Sequence, residues 1–254
     1  MKTSQNSSEH FIYGINPVFE IIKSDRKVHN VYIQRQTEKH LQKIIDLARQ
    51  KQVPVKTVDR EFFEDRFDKG HQGVAASVAP KKTIDIDTLL DLAFNKTNSP
   101  FFLVLDCIED PRNFGAILRV ADAAGLNGVV FQSRRAAGIS PLVYKASAGA
   151  IEHVNLSEIV NIKHAIGKMK ERDVVIIGAE ADSKTGLWDV DMTAPLALIV
   201  GSEGEGLRQT VRSMCDIIVN LNTRSLFPAS ILIKSPSSNR LLRNSSASLS
   251  STRR

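Results

Sequence analysis

The chain has 254 residues, 42% hydrophobic and 24% charged, enough for one large or two small cores. No run is long and apolar enough to span a membrane, the polar opening MKTSQNSSEH lacks a signal-peptide core, and the two cysteines, Cys107 and Cys215, favour a reducing cytosol over a disulfide framework or zinc site. The net charge of +6 invites a nucleic-acid partner, but the residues after Asp216 hold six basic and no acidic side chains, which leaves 34 − 6 = 28 basic against 28 acidic residues elsewhere, so an RNA-binding reading must rest on local motifs.

Residues 1–10 read as disordered. Asn16-Pro17 followed by Val18, Phe19, Ile21 and Ile22 predicts a helix with Asn16 as N-cap and Pro17 in the first helical position. Residues 28–33 predict a strand. Residues 38–50 predict a helix, with Leu41, Ile44, Ile45, Leu47 and Ala48 at helical spacing. Residues 53–58 predict a second strand, Asp59 caps a short helix carrying Phe62 and Phe63, and 74–78 form a third strand. Residues 11–80 thus make a small α/β unit. Residues 81–98, a short helix near 87–94 between polar flanks, read as a linker. A second βα series fills 99–222: strands at 101–106, 128–132, 174–178 and 196–201, and helices near 114–125, 140–150, 162–172 and 207–214. Alternation of this kind predicts a parallel sheet covered on both faces. From Thr223 the chain turns polar, with ten serines between Ser225 and Ser251 and scattered arginines, and 223–254 reads as a disordered tail.

Three motifs carry chemistry. Asp110–Arg119 reads D-P-R-N-F-G-A-I-L-R directly after a strand. Asn113 is placed to cap the helix, and Gly115, one turn before Arg119, lets a backbone or a ribose approach. Arg119 is a permanent cation with a donor fork suited to phosphate. An ordinary βα loop with a surface arginine would look the same. The second motif, Leu198–Leu207 (L-I-V-G-S-E-G-E-G-L), runs an apolar strand into a glycine-rich loop, where a parallel sheet holds a nucleotide-like ligand. Its G-x-x-G-x-G spacing is not the dinucleotide fingerprint, which argues against a nucleotide-dependent oxidoreductase, and it lacks the Lys-Ser/Thr of a P-loop. Glu203 and Glu205 suit a cationic cofactor or a ligand offering hydroxyls. The third motif, H-Q-G-V-A-A at His71–Ala76, holds a lone histidine, which is more often structural than catalytic.

Together with the opening Y-G-I-N-P-V and the A-D-A-A-G after Arg119, these motifs resemble the SpoU/TrmH ribose 2′-O-methyltransferases of the SPOUT class, from about Tyr13 to Leu221. Within that family the resemblance is greatest to the branch that methylates guanosine in bacterial 23S ribosomal RNA. It implies an α/β protein: a small N-terminal RNA-binding domain, then a parallel-sheet SPOUT domain with a trefoil knot, a rare exception to chain-threading rules. It implies a cytoplasmic homodimer that takes structured RNA as substrate and S-adenosylmethionine as cofactor, with no metal and no membrane. Asn113, Arg119 and Glu203 fall at the family's catalytic positions, and Gly201 and Leu221 at cofactor-contacting ones.

The pattern breaks after Leu221. The family carries a third motif there, roughly N/S-S-L-N-V-S, whose serine and asparagine belong to the catalytic site and whose helix completes the knot and the dimer interface. This chain reads N-T-R-S-L-F-P-A-S-I-L instead. Codons for Ala229-Ser230-Ile231 (GCN-TCN-ATH), read one base earlier, can spell Ser-Leu-Asn, which suggests a frameshift between Asn222 and Pro228. A weakened dimer, and an RNA-binding protein that has lost methyl transfer, are the corresponding expectations.

Overall fold

The computed structural model describes residues 10–67 and 69–221. The expectations for residues 1–9, for the 223–254 tail and its altered motif, and for a helix completing a knot lie outside the described residues.

The first unit is built on β1 (His10–Tyr13), β2 (Val28–Gln34), β3 (Val55–Val58) and β4 (Val74–Val78), in the order β1-β4-β2-β3. Only β2 and β3 run parallel; β4 is antiparallel to both of its neighbours. Side chains alternate across a strand. Ile12, Val31, Ile33, Val74 and Ala76 therefore face α1 (Ile15–Lys23) and α2 (Gln42–Gln50), which bury Val18, Ile21, Ile22, Ile44 and Ile45. The opposite face places Tyr13, Tyr32 and Ala75 under α3 (Arg60–Glu64), with Phe63 fully buried.

Two local expectations change. Helix α1 starts at Ile15, and its N-cap is Gly14 at φ 98°, a left-handed conformation natural to glycine, rather than Asn16. The first orphan amide of the helix, Ile15 N–H, donates to Gln72 Oε1 at 2.9 Å, so its partner lies 57 residues away. Pro17 sits in the first turn, where its missing N–H costs nothing. The His-Gln-Gly-Val segment is thereby accounted for structurally. His71 stacks on Phe63 with centroids 4.9 Å apart, and its Nδ1 accepts the Gly73 N–H at 3.1 Å.

The second unit is a six-stranded, wholly parallel sheet: β5 (Phe101–Leu105), β6 (Gly128–Gln132), β7 (Leu156–Ile159), β8 (Val175–Ala179), β9 (Leu196–Val200) and β10 (Ile217–Val219), ordered β10-β8-β9-β5-β6-β7. The continuous apolar runs FFLVL, GVVFQ and LALIV reflect burial on both faces. Leu103 and Leu105 pack with Phe114 and Leu118 of α5 (Pro111–Ala123). Phe102 and Val104 pack on the other side, with α7 (Ile162–Lys170) and Val211 of α8 (Gln209–Arg212). The 81–98 segment, expected as a linker, is more than a tether: α4 (Ile86–Lys96) joins that second face and buries Ile86, Leu89, Leu90 and Ala93. Its start is fixed by Asp85, which accepts the Thr88 N–H at 2.9 Å.

A charged knot of side chains joins the units. Arg26, in the α1–β2 turn, donates to Glu152 Oε1 at 2.8 Å, to the Ala79 carbonyl, and to the hydroxyl of Tyr144 on α6 (Pro141–Ala146). The Arg26 and Glu152 side chains are 10% and 2% exposed. Lys81 donates to the Glu152 carbonyl at 3.1 Å, and burial lowers the pKa of its ammonium. Breaking a buried pair strands one charge, so Arg26→Ala should cost about 3–5 kcal/mol in urea unfolding. The exposed pair Arg35–Asp59 should give less than about 1 kcal/mol for Arg35→Ala. Equal losses at the two sites would contradict the burial argument.

His71 supplies a second test. Burial is the main cause that lowers its pKa below 6.5, so the unfolded chain binds its proton more readily. Stability from this group is therefore full above about pH 6.5 and lost as pH falls below it. His71→Asn keeps an acceptor for Gly73 but cannot titrate. The fall in Tm between pH 7.5 and pH 5.5 should be smaller in this variant, and an unchanged fall would remove His71 from that account.

Candidate active site

In the parallel sheet the chain moves outward from β5 through β6 to β7, then returns on the far side and inserts β9 between β8 and β5. Strands β5 and β9 are paired in register, Leu105 opposite Val200. The helices that follow them go to opposite faces, α5 to one and α8 to the other. Chains that diverge from adjacent strand ends leave a crevice between them, the place where open parallel sheets take ligands.

The crevice is braced by a group that the motifs did not single out. Asp106 ends the apolar run of β5 and is fully buried. A buried carboxylate needs partners, and Arg208, just after the glycine loop, provides them: its backbone N–H lies 3.1 Å from Oδ2 and its Nε 2.8 Å from Oδ1. The same guanidinium donates to Gln132 Oε1 at 2.9 Å, at the end of β6. The hydrogen bond that Arg208 donates to Asp106 raises the pKa of Arg208 further. The ends of β5, β6 and β9 are thus tied through one cation. The legible signal was Asp106 itself, a charge closing an otherwise wholly apolar strand. Beside it, Cys107 is at φ 60°, and burial, then Asp106, pushes its thiol pKa up, so it is not a ready nucleophile.

The glycine-rich loop folds back on itself. Gly206 N–H donates to the Ser202 carbonyl at 3.0 Å, and Gly204 and Gly206 adopt φ 94° and 66°. A Cβ on Gly201 would lie 2.0 Å from the Gly206 carbonyl oxygen, so only glycine allows this turn. Leu221, half-buried, follows β10 and packs against the same core as α5.

Two of the predicted catalytic residues meet. Asn113 Nδ2 donates to Glu203 Oε2 at 3.3 Å, bridging 90 residues and both lips of the crevice. Asn113 is not the helix cap: Asp110 is, accepting the Arg112 N–H at 2.7 Å, with Pro111 first in the helix. A cap needs an extended backbone, and Asn113 is already one turn inside. This frees its amide for Glu203. Gly115 does permit close approach, and what approaches is the end of α6: a Cβ there would collide with the Ala146 side chain and lie 2.8 Å from Ser147 N. Arg119 stands apart. Six residues along an α-helix is about 9 Å of rise and about 120° off the Asn113 face. It is exposed, and among the described residues its guanidinium has no hydrogen bond or ion pair.

The comparisons with known proteins agree with this architecture. The SpoU rRNA Methylase family profile matches residues 100–229, and the RNA 2′-O ribose methyltransferase substrate binding profile matches residues 11–84. The chain belongs to the SpoU methylase family. It is 38% identical over 217 residues to YacO of Bacillus subtilis, assigned to the TrmH family of tRNA/rRNA methyltransferases, covering 85% of this chain and 87% of that one. A TrmH-family protein of Staphylococcus haemolyticus is 35% identical, covering 83% and 85%. Among solved structures, the SpoU methyltransferase AviRb of Streptomyces viridochromogenes shares the fold with a TM-score of 0.72 at 20% identity, covering 94% and 91%. The AviRb complex with AdoMet gives a TM-score of 0.71 at 21% identity, covering 93% and 91%. For this SpoU methylase, no group of three or more potential metal ligands occurs among the described residues, and no helix among them is long and apolar enough to cross a membrane.

The loop geometry makes Gly201→Ala diagnostic. The added methyl must displace the 201–207 turn, so binding of S-adenosylmethionine in calorimetry should weaken at least about tenfold, the scale of 1.4 kcal/mol. Parental affinity would show that the turn does not shape the cofactor site.

Proposed function

We propose that this SpoU methylase methylates the 2′-hydroxyl of a guanosine ribose in 23S ribosomal RNA, using S-adenosylmethionine, as a cytoplasmic homodimer. The observation that carries the reading is the Asn113–Glu203 contact across the crevice, which sets a carboxylate and an amide between two divergent loops of a SpoU fold. A structural relative with a TM-score of 0.71 is itself an RNA 2′-O ribose methyltransferase.

The residues fit the cofactor chemically. Bound S-adenosylmethionine supplies a methyl group activated by a positive sulfonium. The turn at Gly201 offers backbone polar groups with no side chain in the way, Leu221 offers an aliphatic wall, and Glu203 and Glu205 place negative charge nearby. Glu203 would accept the proton of the 2′-hydroxyl, since a carboxylate can act as general base in contact with the reacting group. Asn113 holds one of its oxygens and leaves the other free among the described residues. Arg119, whose guanidinium offers a planar fork of donors and no acceptor, serves as orienter and charge partner for the ribose-phosphate rather than as base. Most of the rate gain in such a displacement comes from positioning.

The absence of Ser-Leu-Asn after Leu221 favours a second reading for this particular chain: RNA binding retained, methyl transfer reduced or lost. Transfer of tritiated methyl to unmodified ribosomal RNA, by this chain and by a frame-restored version, separates the two. Restoration should raise the rate on the order of 10²-fold, the cost of slightly misplaced reacting atoms. Equal rates would make the third motif dispensable. In the restored chain, Arg119→Ala and Glu203→Gln should each lower kcat at least about 10²-fold with Tm unchanged. Near-parental turnover would remove that residue from the site.

A further inference from the structure

Through Leu221 the chain carries as many acidic as basic residues, so its unneutralised cations are informative. Most described arginines are occupied: Arg26 with Glu152, Arg35 with Asp59, Arg60 with Glu64, Arg172 with Asp91, Arg208 with Asp106, Arg212 with Glu180, and Arg66 over the Phe62 ring. Those whose guanidinium has no such partner among the described residues are Arg49, Arg112, Arg119, Arg134 and Arg135. All but Arg49 lie on the segments that leave β5 and β6, and the two strands are parallel neighbours. The unpaired arginines are therefore gathered beside the candidate active site.

Arg134 and Arg135 are the most deliberately placed. Both are exposed, in the loop between β6 and α6. The loop is pinned on either side of them: Ser133 N–H donates to the Ile159 carbonyl at 2.8 Å and Ala137 N–H to the Ile108 carbonyl at 2.7 Å. The second of these bonds fastens it to the loop that leads into α5. Gln132, immediately before, is held by Arg208. Arg135 adopts φ 52°, a left-handed conformation unfavourable for a residue with a Cβ and the kind of strain that clusters at functional sites. Adjacent residues on a strained, anchored turn hold two guanidinium forks without the freedom of a loose loop.

Resting on the proposed RNA reaction, we propose that Arg134 and Arg135 form a phosphate-binding pair that grips the RNA backbone next to the nucleotide presented to Glu203. Their planar donors suit phosphate oxygens, and contacts of this kind position nucleic acid without reading its sequence. The pair would act on RNA alone and leave the cofactor side, formed by the 201–207 turn and Leu221, untouched.

The test is RNA binding by the full chain across a salt series, using an unmodified ribosomal RNA transcript. Each lost phosphate contact should lower the slope of log K against log salt by about 0.7–0.9. Arg134→Ala/Arg135→Ala should flatten it by up to about twice that amount and weaken RNA binding about tenfold or more at fixed salt. Tm and affinity for S-adenosylmethionine should stay at parental values. The Arg134→Lys/Arg135→Lys variant should restore the slope, because it restores the charge, but not the whole affinity, because lysine lacks the fork. Parental RNA affinity and slope in the alanine variant would overturn the assignment while leaving the functional reading standing. A parent that binds no RNA at all would overturn the functional reading and this pair with it.

Discussion

The site depends on one buried carboxylate and the cation that neutralises it. Asp106 closes the central strand of the parallel sheet with a charge that water cannot reach, and Arg208 meets it with both backbone and side chain. Without the cation, an unpaired carboxylate in that position would cost several kcal/mol, comparable to a large share of a domain's total stability. Because Arg208 follows the glycine-rich turn and also reaches Gln132, the pairing fixes where three strand ends and their loops stand. Catalytic groups tolerate little looseness, and a charge-assisted hydrogen-bond network is stiff.

From that brace the division of labour follows. The sheet order separates α5 from α8 and opens a crevice at β5 and β9. One lip carries Asn113, the other Glu203, and their contact spans it. The glycine turn follows β9, while the unpaired arginines lie on the segments that leave β5 and β6. The first unit does not hang free. The Arg26–Glu152–Tyr144 knot, with Lys81 and the Ala79 carbonyl, holds the first unit against the methylase sheet.

What was legible in the sequence was whatever local pattern determines. The buried parallel strands announced themselves as uninterrupted apolar runs, and 74–78 and 128–132 were delimited as they stand. The short edge strands β7 and β10 carry too little pattern to stand out, and β1 lay at the margin of a polar opening. The caps misled because capping can be long-range: Gln72, not Asn16, serves α1, and Asp110 left Asn113 free for a partner 90 residues on. Helix α4 reads as a linker in the sequence because a short helix between polar flanks does not say which surface will receive it. Motif order singles out Asn113 and Glu203 in the sequence, and folding brings them together. The offset of Arg119 from Asn113 was readable from helical geometry alone. The Asp106–Arg208 pair was half legible, as a charge that had to have a partner but gave no clue to which.

The central claim is methyl transfer to a ribose oxygen of RNA, and its product has a chemical signature. A 2′-O-methyl group removes the nucleophile that alkali uses to cleave the adjacent phosphodiester. Tritiated S-adenosylmethionine and unmodified 23S ribosomal RNA should be incubated with this chain and its frame-restored form, and the RNA digested in alkali. The account predicts tritium in alkali-resistant dinucleotides containing guanosine. Tritium in single nucleotides methylated on the base, or none in RNA from either protein, would contradict it.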